Sequence, residues 1–242
     1  MKILCLYNNE IALELFDWIK LSGHEVVLCS DKIAAYWCYE QSFDLTVSYT
    51  YRYILTQEII EALNNNVVNI HNSYLPWNRG ADPNIWSLLE NTPRGVTLHY
   101  IDSQLDHGDI IAQVLVPSAN TLLSKCSQGD TISSCENQTL ASSYNDLDQA
   151  AKKLFKTAFS YYPYWNSMRK NSSQSGSYHK SIELTEFKKQ IGSYDIGLEE
   201  ARRRYLGLTS RKQHGGAFLR NKGNNSCYST IIIWFYPEVC VA

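Results

Sequence analysis

Three residues stand out for what they could do together: Asn69, His71 and Asp106. One short apolar run ends in Asn69-Ile70-His71. A second, over 95–101, is followed after a short loop by Leu105-Asp106-His107-Gly108-Asp109. In a strand, side chains two positions apart share a face, so residues 69 and 71 can reach the same point. A carboxamide N–H can stabilise an oxygen that gathers negative charge. An imidazole can take or give a proton near neutral pH. A carboxylate can accept the imidazole N–H or relay a proton through water. At the rim of one sheet this trio suits polarising a carbonyl and moving a proton off an attacking amine. Taken singly, each has a plainer role: Asn69 as a strand-end residue, His71 as a satisfied buried histidine, Asp106 as an Asx-type turn before Gly108. Asp102, His107 and Asp109 fit turn or surface roles. The spacing of His71, His99 and Asp106 matches no zinc pattern, so no metal is expected.

The elements that must position the trio follow from hydrophobic spacing. Apolar runs at 2–7, 25–30, 44–49, 67–70, 95–101 and 110–116 predict six strands. Between them, 10–21, 32–41, 57–63 and 85–90 carry apolar residues at helical spacing, and Gly23 stops the first. Strands alternating with helices predict an α/β fold with a mostly parallel, Rossmann-like sheet covered on both faces by right-handed crossovers. In such sheets ligands bind beyond the carboxyl ends of the strands, where Asn69 and His71 fall. The polar stretch 118–138 predicts a loop or weak hairpin. A long helix is expected over 139–162, with Leu147, Ala151, Leu154 and Phe155 in its apolar stripe. The organisation expected is a catalytic domain at 1–165, a polar linker at 166–176, and a small C-terminal α+β unit at 177–242. That unit should hold a charged helix at 198–205 and end in a β-hairpin across 221–225.

The chain has 242 residues, enough for one full core and a small appendage. Its net charge is −2, with no long basic run, which argues against a nucleic-acid partner. Seven cysteines, an odd number without zinc spacing, fit free thiols in a reducing cytoplasm. No signal peptide precedes Lys2 and no apolar run approaches the ~18 residues of a membrane span, so no membrane association is expected. The apolar strand at 231–235 should not stand exposed and points to packing on the main domain or to a homodimer. The turn Tyr7-Asn8-Asn9-Glu10 lacks the Gly-x-Gly-x-x-Gly phosphate fingerprint, which argues against a dinucleotide dehydrogenase.

The stretch Asn69-Ile70-His71-Asn72-Ser73-Tyr74-Leu75-Pro76, then Gly95-Val96-Thr97, then Leu105-Asp106-His107-Gly108-Asp109-Ile110 resembles the formyltetrahydrofolate-dependent formyltransferases. The resemblance is clearest over 43–116. The wording of Leu75-Pro76-Trp77-Asn78-Arg79-Gly80 and of Asn84-Ile85-Trp86 looks most like the branch acting on dTDP-linked amino sugars. It implies a formyltransferase fold and 10-formyltetrahydrofolate as co-substrate. Asn69, His71 and Asp106 fall on the family's catalytic positions. Tyr51, Tyr53, Ile54 and Leu55 resemble the folate pocket, with Ile101 and Leu105 in its opposite wall. On the acceptor side the resemblance implies Ser73, Trp77, Asn78, Arg79 and Trp86, with Asn8, Asn9, Tyr178 and Lys180 as further candidates. Two readings stand for several of these: Arg79 contacts substrate or pins the loop, Trp86 lines the pocket or fills the core, and Asn8 and Asn9 meet a sugar nucleotide or make a turn. The implied reaction is formyl transfer to the amine of a dTDP-linked 4-amino or 3-amino 4,6-dideoxyhexose, feeding a surface polysaccharide such as O-antigen. Formyltetrahydrofolate hydrolysis, or a catalytically silent binding module of the same fold, are the alternatives.

Overall fold

The computed structural model describes residues 1–117, 138–171 and 175–213. Six strands form one sheet: β1 (Lys2–Leu6), β2 (Glu25–Cys29), β3 (Leu45–Tyr49), β4 (Val67–His71), β6 (Gly95–Tyr100) and β7 (Ile110–Leu115). Their order is β2-β1-β3-β4-β6-β7. The first four pair in parallel; β6 is antiparallel to both β4 and β7. One strand of the six in this sheet therefore opposes the rest, and the expectation of a mostly parallel sheet holds.

Alternation along the strands divides the core. Ile3 and Cys5 point to one face, with Val47, Tyr49, Val68 and Ile70. There they pack under α1 (Leu13–Leu21) and α5 (Leu140–Phe159). Leu4, Leu6 and Val67 point to the other, under α2 (Ala35–Gln41) and α3 (Gln57–Ala62). The long helix α5 starts on a Thr139–Ser142 capping box and buries Leu147, Ala151, Leu154, Phe155 and Ala158, a helical spacing. A third cluster joins Ile85 and Trp86 of α4 (Pro83–Glu90) and Leu140 of α5 to the C-terminal segment. That segment supplies Leu184, Phe187 and Ile191 from α7 (Thr185–Ile191) and the turn before it. Leu198 and Ala201 come from α8 (Leu198–Gln213). Between α5 and α7 lie the short α6 (Trp165–Met168) and β8 (Tyr178–His179); β8 pairs in parallel with the two-residue β5 (Arg79–Gly80).

Several details depart from the sequence expectations. The charged helix expected at 198–205 runs on to Gln213. The β5–β8 pair and α7 carry no periodic signal long enough to detect. The insertion expected at 118–138, all but its last residue, the hairpin around 221–225 and the strand at 231–235 lie outside the described residues. No helix among the described residues is long and apolar enough to cross a membrane.

Chain order places a topological switch between β1 and β3: the chain leaves β1 towards β2, then returns to the other side. The loops after β1 and β3 are nonetheless tied together, the Asn9 N–H donating to Thr50 Oγ1 at 3.1 Å and the Arg52 N–H to Asn8 Oδ1 at 2.8 Å, and the site lies beyond the strands' carboxyl ends.

Candidate active site

Asn69 and His71 occupy alternate positions at the end of β4 and so project from the same face. Because β6 is antiparallel, Asn69 lies directly opposite His99. The same polarity carries the chain leaving β6 towards the amino end of β4, so the loop 101–109 must fold back over the sheet to bring Asp106 to the pair. Asp106 has φ +51, a left-handed conformation that Asp tolerates better than most residues.

The resulting cluster is close, with His71, His99 and Asp106 buried and Asn69 half-buried. Asn69 Nδ2 donates to Asp106 Oδ1 at 3.4 Å and to His99 Nε2 at 3.3 Å. His71 Nε2 lies 3.7 Å from Asp106 Oδ2 and 3.1 Å from the Asn78 carbonyl oxygen. That carbonyl only accepts, so Nε2 carries the proton in a neutral His71, leaving Nδ1 as its basic nitrogen. His99 Nδ1 donates to the Tyr100 carbonyl at 2.8 Å, so the Nε2 facing Asn69 offers a lone pair. Burial, the largest influence on His99, drives its pKa down and keeps the ring neutral. Burial also works against charge on Asp106. His71 and His99, then the Gly80 amide and Arg79, outweigh it and hold the carboxyl below the ordinary carboxylate range. The Gly80 N–H donates to Asp106 Oδ2 at 2.8 Å, and Arg79 Nε donates to the Asp106 carbonyl at 3.1 Å.

The cluster opens into a cavity of about 1040 Å³ with two unlike walls. One wall is built by the loop after β3 and the loop after β6. Tyr51, Tyr53, Ile54, Leu55, Ile101 and Leu105, all expected at a folate pocket, line it. Ile54 is 73% exposed and Leu105 44%, so apolar surface stands open to a ligand there. The apolar surface and the two Tyr rings suit a flat heterocycle such as a pterin. The other wall comes from the start of α4, from α5, from β8 and from the turn before α8. Asn84, Tyr144, Asn145, Tyr194, Tyr178 and Lys180 line it. It is polar, with aromatic edges.

Of the residues expected to meet the acceptor, Asn8, Asn9, Tyr178 and Lys180 line the cavity. Asn8 and Asn9 are nonetheless engaged by the protein. Asn8 donates to the Ser30 carbonyl and accepts from the Arg52 N–H, while Asn9 caps the turn that leads into α1. Ser73, Trp77, Asn78, Arg79 and Trp86 do not line it. Ser73 ties its loop to the Trp77 carbonyl. The fully buried Asn78 side chain bonds Thr92 and Ser177. Arg79 reaches the Asp106 backbone, and Trp86 is buried in a stack with His179. Trp77 stays at the surface. These residues shape the loop that carries the site.

Sequence reasoning weighed His99 only as a metal ligand, and of the polar wall it offered Tyr178 and Lys180 but gave no site role to Asn84, Tyr144, Asn145 or Tyr194. The alternation Val96-Leu98-Tyr100 against Thr97-His99 places His99 on the polar face, but only the antiparallel register sets it beside Asn69.

A family model described as formyl transferase matches residues 29–141. The chain is also similar to the formyltransferase PseJ from Anoxybacillus kamchatkensis, solved in complex with UDP-4,6-dideoxy-4-formamido-L-AltNAc and tetrahydrofolate. Identity is 34%, the TM-score is 0.67, and the match covers 83% of this chain and 97% of that one. The chain belongs to the formyltransferase family. Shorter matches reach two curated formyltransferases. A dTDP-4-amino-4,6-dideoxyglucose formyltransferase of Mycobacterium bovis is 38% identical over 73 residues, 30% of each chain. A methionyl-tRNA formyltransferase of Listeria welshimeri is 39% identical over 75 residues, 31% of this chain and 24% of the relative. The match thus spans less than a third of either curated formyltransferase.

Proposed function

We propose that the protein transfers a formyl group from 10-formyltetrahydrofolate to the primary amine of a nucleotide-linked 4-amino-4,6-dideoxyhexose. The observation that carries this is the placement of Asn69, His71 and Asp106 between an apolar wall that fits a pterin and a polar wall that fits a sugar. The likeness to PseJ over 97% of that chain supports the sugar as acceptor. The mycobacterial relative supports dTDP as the carrier, and PseJ supports UDP. A formamido sugar of this kind would supply surface-polysaccharide assembly.

In this reading the amine nitrogen attacks the formyl carbon. The new C–N bond forms, the bond from that carbon to the folate nitrogen breaks, and the amine proton ends on the folate nitrogen. Asn69 directs an N–H at the formyl oxygen as it gathers negative charge. Its 3.4 Å bond to Asp106 is near the limit of such bonds, so that hydrogen is readily redirected. His71 Nδ1 takes the amine proton, and Asp106, ionised at neutral pH, stabilises the imidazolium so formed.

The test is mass spectrometry of the protein with 10-formyltetrahydrofolate and dTDP- and UDP-linked 4-amino and 3-amino dideoxyhexoses, with a no-acceptor control. One sugar gaining a formyl group is the expected result. Formate released without acceptor, or no turnover at all, would overturn it.

A further inference from the structure

The hydrogen bond from Gly80 to Asp106 depends on residues almost a hundred positions away. Gly80 belongs to β5, and β5 is held by β8. Arg79 N–H donates to the Ser177 carbonyl at 2.9 Å, and Ala81 N–H to the His179 carbonyl at 3.0 Å. The approach is tight. Gly80 has φ +89, and a Cβ there would sit 2.3 Å from the His179 oxygen. Two residues of strand pairing are too few to hold by themselves.

Beside β8 the Ser177 hydroxyl bonds Asn78, and within β8 the anchoring side chain is that of His179, which is 6% exposed. Its ring lies flat on the indole of Trp86, centroids 3.8 Å apart and planes 9° from parallel. Trp86 is in turn braced edge-on by Tyr205 of α8. The two ring nitrogens face carboxylates: Nε2 is 3.2 Å from Glu90 Oε2 at the end of α4, and Nδ1 is 3.6 Å from Glu183 Oε2. The Nε2 approach is close without being directed as a hydrogen bond, so the flat stack is the better-formed contact. Aromatic pairs of this kind contribute about 0.5–1.5 kcal/mol beyond their burial.

We propose that His179 is a positioning residue: its stack on Trp86 clamps β8 to α4, and β8 holds β5 so that the Gly80 amide stays on Asp106. The C-terminal segment then completes the catalytic carboxylate's environment as well as forming one wall of the cavity. This deepens the functional reading above, in that it rests on Asp106 taking part in the reaction. Asp106 itself is faced by His71, His99, the Gly80 amide and Arg79. Of these, the clamp controls the two carried by β5, the Gly80 amide and Arg79.

The decisive probe is the Gly80 backbone amide in a ¹⁵N-labelled protein, followed by NMR against pH and by hydrogen exchange. It needs neither folate nor sugar, so it is independent of the choice of acceptor. His179→Leu keeps bulk and removes the flat face; His179→Phe restores the stack. In His179→Leu we expect the titration that Gly80 reports to move up, because the carboxylate loses a donor. Exchange at Gly80 should quicken about tenfold or more. His179→Phe should return both towards wild type. With an active acceptor in hand, kcat should fall in His179→Leu while KM for the folate stays within about twofold. A wild-type titration and exchange rate at Gly80 in His179→Leu would overturn the proposal, as would a Phe variant no better than Leu. Should His179→Leu fail to fold, His179→Gln removes the flat ring while keeping a polar group beside Glu90 and Glu183. A Gly80 titration displaced in the same direction then supports the clamp, and an unchanged one overturns it.

Discussion

The two walls of the cavity are built on different principles. The apolar wall comes from two short loops, each tied to the strand before it and resting on the core under α2 and α3. Every residue expected there lines the cavity. The polar wall is gathered from the start of α4, one turn of α5, β8 and the turn before α8, segments that span more than a hundred residues of chain. None of the five residues expected there from the 73–86 loop lines it. A ligand common to a family can be met by a local loop whose wording persists in one chain. A ligand that varies is met by surfaces that only packing assembles.

The largest test strikes the cluster between the walls. Asn69→Ala and Asp106→Asn should each lower turnover by about 10²–10³, with folate affinity kept, measured by steady-state kinetics beside calorimetric titration. A loss confined to KM would move these residues into one wall and break the comparison. A smaller effect is expected from the apolar wall. Ile54→Ala removes open apolar surface that a ligand covers, and full burial of such a side chain contributes about 1.5–3 kcal/mol. Folate affinity should therefore fall about tenfold, while KM for the acceptor holds.

The polar wall should give the converse. Asn145→Ala or Tyr144→Phe removes one hydrogen-bonding group, with a net contribution of about 0.5–1.5 kcal/mol. KM for the acceptor should rise about threefold to tenfold with folate binding unchanged. A loss of folate affinity in these variants would merge the two walls into one site.

The smallest effect sharpens how firmly the apolar wall is founded. Cys38 packs in the cluster that carries Leu55 and Tyr51, and burial pushes its thiol up to about 11. Burial pushes Cys5, in the core under α1 and α5, up to about 12. Both folded thiols sit above their unfolded value. Their contribution to stability is complete below the ordinary thiol pKa and is lost as pH rises towards 11 and 12. The thermal midpoint should thus decline from about pH 9 upwards. Alkylation at pH 8 should be slow at both, and saturating folate should leave the Cys38 rate unchanged. Folate-dependent protection of Cys38 would mean that the wall forms only around its ligand.

Much of this protein was legible in its residues. Short apolar runs placed six strands and helical spacing placed the helices between them, because strands covered on both faces are apolar throughout and helices buried on one face repeat every 3.6 residues. The spacing of Asn69 and His71, and the wording around Asp106, singled out three residues that the fold brings together at the cavity, because positions two apart share a strand face. The sequence did not disclose that β6 runs against its neighbours, which alone sets His99 beside Asn69 and sends the Asp106 loop back over the sheet. Nor did it disclose β5 and β8, whose two-residue strands are too short for any period. It was also silent on Trp86 being spent on His179 rather than on a ligand. Those outcomes depend on contacts between residues far apart in sequence, and only the folded chain decides which distant partners meet.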